Sequence, residues 1–165
     1  MTQAIDAGLT RYVGVAELAT ASGSGLLATL GLGSCVAIVL YDSSASVGGL
    51  AHVMLPGQEY SRDRTRVGRF PDTALKAMLR EMYQLGARRP RARLVGGASM
   101  FASLLRQHGV NIGERNVVAA RAALASFSIP LDAEDTGGDY GRSVFLHVMD
   151  GSLRIRSVHA RERAL

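Results

Sequence analysis

Tryptophan is absent from this chain, lysine occurs once, at Lys76, and cysteine once, at Cys35. A lone cysteine forms no internal disulfide and cannot supply the several thiolates of a zinc or iron–sulfur site. Structural redox roles are thereby set aside, and neither a metal nor a cofactor is expected. Aromatic residues make up only 5% of the chain. Arginines gather in SRDRTRVGR (61–69) and ARRPRAR (87–93), yet only Tyr60 and Phe70 stand near the first cluster, too few rings for a single-strand stacking platform. The net charge of +5 therefore reads as solvated arginine loops able to meet an acidic protein surface, not as a nucleic-acid site. No apolar run approaches the roughly 20 residues of a membrane span. The opening MTQAIDAGLTRYVGV lacks the basic start, apolar stretch and cleavage site of a secretory signal. The expectation is a cytoplasmic protein without membrane insertion.

What is present is the make-up of a globular core, with 47% hydrophobic and 20% charged residues and no low-complexity window. A chain of 165 residues is expected to form one domain, 1–165, burying about two-thirds of its unfolded surface. TRYVGVAE (10–17) alternates as a strand, residues 20–25 read as a small-residue loop, and GLLATLGLG follows as a second strand. CVAIVLY (35–41) is a continuous apolar run with β-branched members, which suits a buried strand. DSSASVGG then turns the chain, and LAHVMLP returns as a strand closed by Pro56. Over 70–85, apolar residues at 74, 75, 78, 79, 82 and 85, with Pro71 at the start and Gly86 beyond the end, predict a helix. RARLVGG reads as a strand, SMFASLLRQHG as a short helix and ERNVVAARAALASF as an amphipathic helix. Asp150-Gly151 divides GRSVFLHVMDGSLRIRSV into a hairpin. The sum is a mixed α/β (α+β) chain with largely antiparallel strand pairs, packed helices and no internal repeat.

Within that frame GLGSCVAIVLYD places Cys35 just after a double-glycine turn. The commonest role of a free cysteine is that of a small buried hydrophobe. Its position at the edge of a strand, beside backbone N–H groups able to stabilise an oxyanion, raises the alternative of a nucleophile. His52 lies in the returning strand. Pairing Tyr41 with Ser46 sets Cys35 opposite His52, and pairing Tyr41 with Gly48 sets them diagonally on one face, whereas pairing Tyr41 with Val47 sends them to opposite faces. In two of the three registers imidazole and thiol meet, and the chemistry that follows is acyl transfer to water through a thioester. A third group normally holds the imidazole in the useful tautomer; Thr29, Ser34 and Asp42 are the candidates. His108, His147 and His159 have no spacing that ties them to Cys35.

The strings ATLGLGSCVAIVLYD, VGGLAHVMLP, DTALKAML, GGASMF, NIGERN and DTGGDYGRSVFLHVMDGSLRIRSV, in this order over nearly the whole chain, closely resemble the CheD family of chemoreceptor glutamine deamidases. The resemblance implies an α/β sandwich similar to the catalytic domain of bacterial toxin deamidases, and a catalytic cysteine, histidine and threonine at Cys35, His52 and Thr29. It implies hydrolysis of glutamine side chains in the cytoplasmic helical region of chemoreceptors to glutamate and ammonia, an associated glutamyl methyl ester hydrolysis, and the CheC phosphatase as a partner of some members. The rival reading is a catalytically idle adaptor that binds receptor or CheC. GRFPDTAL departs from the family pattern, with Phe70-Pro71 where a tyrosine and a small residue are expected, which bears on local contacts. The arginines at 62, 64, 66 and 69 follow the His52 strand and could border the site.

Overall fold

A strand whose every residue is apolar needs cover on both faces, and the computed structural model, which describes residues 9–100 and 111–165, supplies it for the central strands. Ten strands are described: β1 (Thr10–Tyr12), β2 (Leu18–Ser22), β3 (Leu26–Leu32), β4 (Val36–Asp42), β5 (Val47–Val53), β6 (Arg91–Gly96), β7 (Leu131–Thr136), β8 (Arg142–His147), β9 (Leu153–Ser157) and β10 (Arg163–Ala164). Two α-helices are described with them, α1 (Pro71–Gln84) and α2 (Ile112–Ser126). One sheet has the order β1-β3-β8-β9-β10 and the other β2-β5-β4-β6-β7. Pairing is antiparallel except for β1 with β3 and β6 with β7. This is the mixed, largely antiparallel α+β sandwich expected.

The core has two compartments on either side of the second sheet. Val36, Ile38 and Leu40 of β4 meet Val47, Ala51 and Val53 of β5 and the buried stripes of α1 and α2. The alternate residues Ala37, Val39 and Leu50 face the first sheet, packing with Leu27, Leu32, Val144, Leu146 and Ile155. Buried on both sides, β4 and β5 lack the apolar–polar alternation of a half-exposed strand, as the run from Cys35 to Tyr41 foretold.

Three expectations need correction. Residues 10–17 do not form one strand: β1 stops at Tyr12, and Ala16 takes a left-handed φ of 63° in a turn before β2. The first half of the stretch read as a loop from Thr20 is strand, because Leu18–Ser22 pairs with β5, Thr20 opposite Gly49 and Ala21 opposite Gly48. The acidic segment LDAEDT, not anticipated as a strand, is β7 at the edge of the second sheet. Met100 ends the first described stretch, so the short helix expected at 99–109, and with it His108, lies almost wholly outside the described residues.

Candidate active site

Tyr41 pairs with Gly48 and Ala37 with His52, the diagonal register. Residues opposite or two apart share a face, so Cys35, Ala37 and His52 all point between the sheets. Cys35 accordingly packs against the inter-sheet cluster while remaining partly accessible. Diagonal neighbours of this kind sit about 7–8 Å apart between Cα atoms, within reach of long side chains.

Thr29 comes from the other sheet. In β3, Thr29 pairs with Val144 and Leu32 with Arg142, so three steps along β3 match two along β8. The extra residue is a bulge containing Gly31 at a φ of 67°. It permits Thr29 and Leu32, an odd number of positions apart, both to face inward with no exposure. Past the bulge, Gly33 and Ser34 carry the chain from the first sheet to the second, where Cys35 begins the approach to β4.

Across the sandwich, Thr29 Oγ1 lies 2.7 Å from His52 Nδ1 and 2.7 Å from the carbonyl oxygen of Val13. A hydroxyl has one proton, and the Val13 carbonyl can only accept, so the Thr29 proton goes there. His52 Nδ1 must then donate to Thr29 Oγ1, which leaves Nε2 with a lone pair. Nε2 is buried and has no hydrogen-bond partner among the described residues. The ring is also held from its backbone, since His52 N–H donates to Glu17 O at 3.0 Å and Ala16 N–H donates to His52 O at 2.9 Å.

Burial sets the resting protonation. It lowers the pKa of His52 below its ordinary value, an effect that the Glu17 carboxylate partly opposes, and it pushes the Cys35 thiol up. Both shifts favour the neutral forms, thiol and imidazole.

Of the three candidate orienting groups, only Thr29 reaches His52. Asp42 lies at the far end of β4, bound to Ser44 and to the Arg88 and Arg89 amides. Ser34 is exposed in the turn. His147 is exposed at the end of β8, and His159 stacks edge-on against Tyr140 at 4.4 Å. The arginine loop starts and ends beside the site, because Met54 and Leu55, just past His52, donate their N–H groups to Arg69 O at 3.0 and 3.2 Å. Arg62, Arg64 and Arg66 are exposed on it, while Arg69 pairs with Asp63 at 2.9 Å. Asn111 caps α2 by accepting from Glu114 N–H, and Arg115 donates to Tyr60 Oη.

Sequence reasoning passed over Asn116. It is fully buried, and its Nδ2 donates to Ser34 O at 2.8 Å and to Met54 O at 3.1 Å. The available signal was its place on the buried stripe of α2 with Gly113, Val117, Ala120 and Ala123, where an amide is out of keeping with its neighbours.

Residues 54–157 match the family model described as CheD chemotactic sensory transduction. A chemoreceptor glutamine deamidase CheD of Thermotoga maritima is 43% identical over 157 residues, covering 94% of this chain and 96% of that protein. Probable chemoreceptor glutamine deamidases CheD of Caldanaerobacter subterraneus subsp. tengcongensis and Moorella thermoacetica are 43% and 45% identical, each over 88% of this chain and over 91% and 89% of their own lengths. No helix among the described residues is long and apolar enough to cross a membrane.

Proposed function

The chain belongs to the CheD family, and from that premise we propose that it is a chemoreceptor glutamine deamidase in which Cys35 is the nucleophile, His52 the base and Thr29 the residue that orients the base. The observation that carries this reading is His52 Nε2, buried on the face it shares with Cys35 and without a partner among the described residues, while Nδ1 is committed to Thr29.

The reaction then runs in two halves. His52 Nε2 takes the Cys35 thiol proton as the sulfur attacks the side-chain carbonyl carbon of a receptor glutamine. N–H groups of the Gly33–Cys35 turn, which lies outside both strands, are the donors proposed for the resulting oxyanion. Collapse of this intermediate breaks the C–N bond, and Nε2 returns the proton to the departing ammonia. Water next attacks the thioester and gives its proton to Nε2, and cleavage of the C–S bond releases glutamate and restores the thiol. A glutamyl methyl ester fits the same route with methanol as the leaving group. The proposal includes action in the cytoplasm, where the receptor's helical region lies, by one catalytic domain, with CheC as a candidate partner because some members of the family bind it.

Mixing the protein with a receptor cytoplasmic fragment and mapping its peptides by mass tests the reading. Conversion of particular glutamines to glutamate, a gain of about one dalton each, with ammonia release that Cys35→Ala abolishes, is the expected result. Receptor binding without any such change would favour an idle adaptor.

A further inference from the structure

We propose that Asn116 is a positioning residue that holds the Cys35 turn in register with the His52 strand. The proposal rests on Cys35 and His52 being the reacting pair. The ladder between β4 and β5 ends at Val36 opposite Val53. Beyond that pair the two chains part, one through Cys35 and Ser34 toward the first sheet, the other through Met54 into the arginine loop. Asn116 spans the gap with a single amide, spending one Nδ2 proton on the carbonyl immediately before Cys35 and the other on the carbonyl two residues after His52.

The cost of keeping an amide there argues that the clamp matters. Asparagine is a poor helix former compared with alanine or leucine. Asn116 has no exposure, and its Oδ1 is buried without a partner among the described residues. An apolar side chain would incur none of these penalties. The orientation is also determined, because the flipped amide would set its oxygen against two carbonyl oxygens.

The rest of the turn is held differently. Gly97 N–H donates to Cys35 O and Ala98 N–H to Gly33 O, both at 2.8 Å, which fixes the turn to the chain following β6. A Cβ on Gly113 would clash with Ala98 O, so glycine lets the first turn of α2 settle deeply enough for Asn116 to reach both carbonyls. Backbone contacts thus tie the nucleophile to β6, and the Asn116 side chain ties it to the strand that carries the base.

Asn116→Leu keeps the number and branching of the side-chain heavy atoms and removes both donors, while Asn116→Ser keeps one hydroxyl donor. In the full chain, kcat and KM on a receptor cytoplasmic fragment, the pH dependence of Cys35 alkylation by iodoacetamide and the thermal midpoint are measured for both. The expected result is a roughly 10- to 100-fold loss of kcat for Asn116→Leu with KM within about twofold, since small displacements of reacting groups are costly in rate. The His52-dependent part of its alkylation profile is expected to flatten, with Asn116→Ser in between. Should Asn116→Leu fail to fold, the same shifts in Asn116→Ser carry the proposal. A lowered midpoint with kcat and the alkylation profile unchanged would overturn it and leave Asn116 a packing residue. An alkylation profile that His52→Ala leaves untouched in the otherwise wild-type chain would overturn both this proposal and the reacting pair beneath it.

Discussion

At the C-terminal end of β4, Asp42 is 1% exposed and its carboxylate accepts four hydrogen bonds, from Ser44 N–H and Oγ and from the Arg88 and Arg89 amides. Burial alone would raise its pKa, but these donors overcome it and hold the carboxyl well below the usual carboxylate range. Around the N-terminal end of the same strand the polar groups are left incomplete. His52 is 2% exposed, Cys35 is partly accessible, and neither His52 Nε2 nor Asn116 Oδ1 has a hydrogen-bond partner among the described residues. A buried polar group with every hydrogen bond made stabilises the fold, whereas one left without a partner costs stability. The two ends of β4 therefore separate what holds the sandwich together from what the proposed chemistry would use.

Substitutions at the reactive end should damage rate far more than stability. Cys35→Ala is expected to abolish glutamine conversion in the receptor mass map while the thermal midpoint stays near wild type, because one small side chain replaces another. Cys35→Ser should fail as well, since a hydroxyl is far harder to ionise than a thiol. Next in size, His52→Ala should lower kcat by roughly 10²- to 10⁴-fold. With His52 held neutral by burial, the acid limb of the wild-type rate profile should fall below the ordinary histidine pKa of about 6.5, and initial rates against pH locate it. A limb above that value would mean a base other than this buried imidazole.

A smaller loss is expected for Thr29→Val, which removes the hydroxyl from both Val13 and His52. The stability cost of a hydrogen bond, about 1 kcal/mol, should be outweighed by the rate lost when the ring is free to turn or change tautomer. Thr29→Ser should retain much more activity. Equal initial rates in wild type and Thr29→Val would reduce Thr29 to packing.

At the satisfied end the pattern should reverse. Asp42→Asn replaces an acceptor oxygen with a donor facing amide protons, and is expected to cost about 1–3 kcal/mol of stability with no change in kcat. The sign of the pH effect follows from the depressed carboxyl. Its contribution is fully present above the unfolded carboxylate pKa of about 3.9 and is lost as pH falls from there through the lower folded value. Thermal midpoints of wild type and Asp42→Asn should therefore converge in acid. A loss of kcat in Asp42→Asn at full folding would break the division between the two ends.

The division was only partly legible in the sequence. CVAIVLY and its return strand announce a hairpin, and side-chain parity narrows Cys35 and His52 to two workable registers, but choosing between them needs the turn geometry around Ser46, whose φ is 48°. Thr29 was distinguishable from Ser34 and Asp42 only through the family resemblance, because the bulge that aims it inward and the sheet crossing that brings it to His52 are tertiary. β2 was missed because Ala-Thr-Ala-Ser looks like loop until it is paired in the sheet beside Gly48 and Gly49. β7 was missed because its charges look solvated until Arg91 pairs with Asp132, Arg121 with Glu134 and Arg142 with Asp135.

The claim on which the account turns is that His52 Nε2 is the base for Cys35, and iodoacetamide alkylation of Cys35 as a function of pH, in wild type and His52→Ala, tests it most directly. Cys35 is the only thiol in the chain, so the labelled mass reports it alone. The account predicts that the wild-type profile carries an inflection below about pH 6.5 from His52, and that His52→Ala loses this inflection and reacts only as the burial-raised thiol ionises. Superimposable profiles would contradict it, because two side chains that exchange a proton cannot titrate independently.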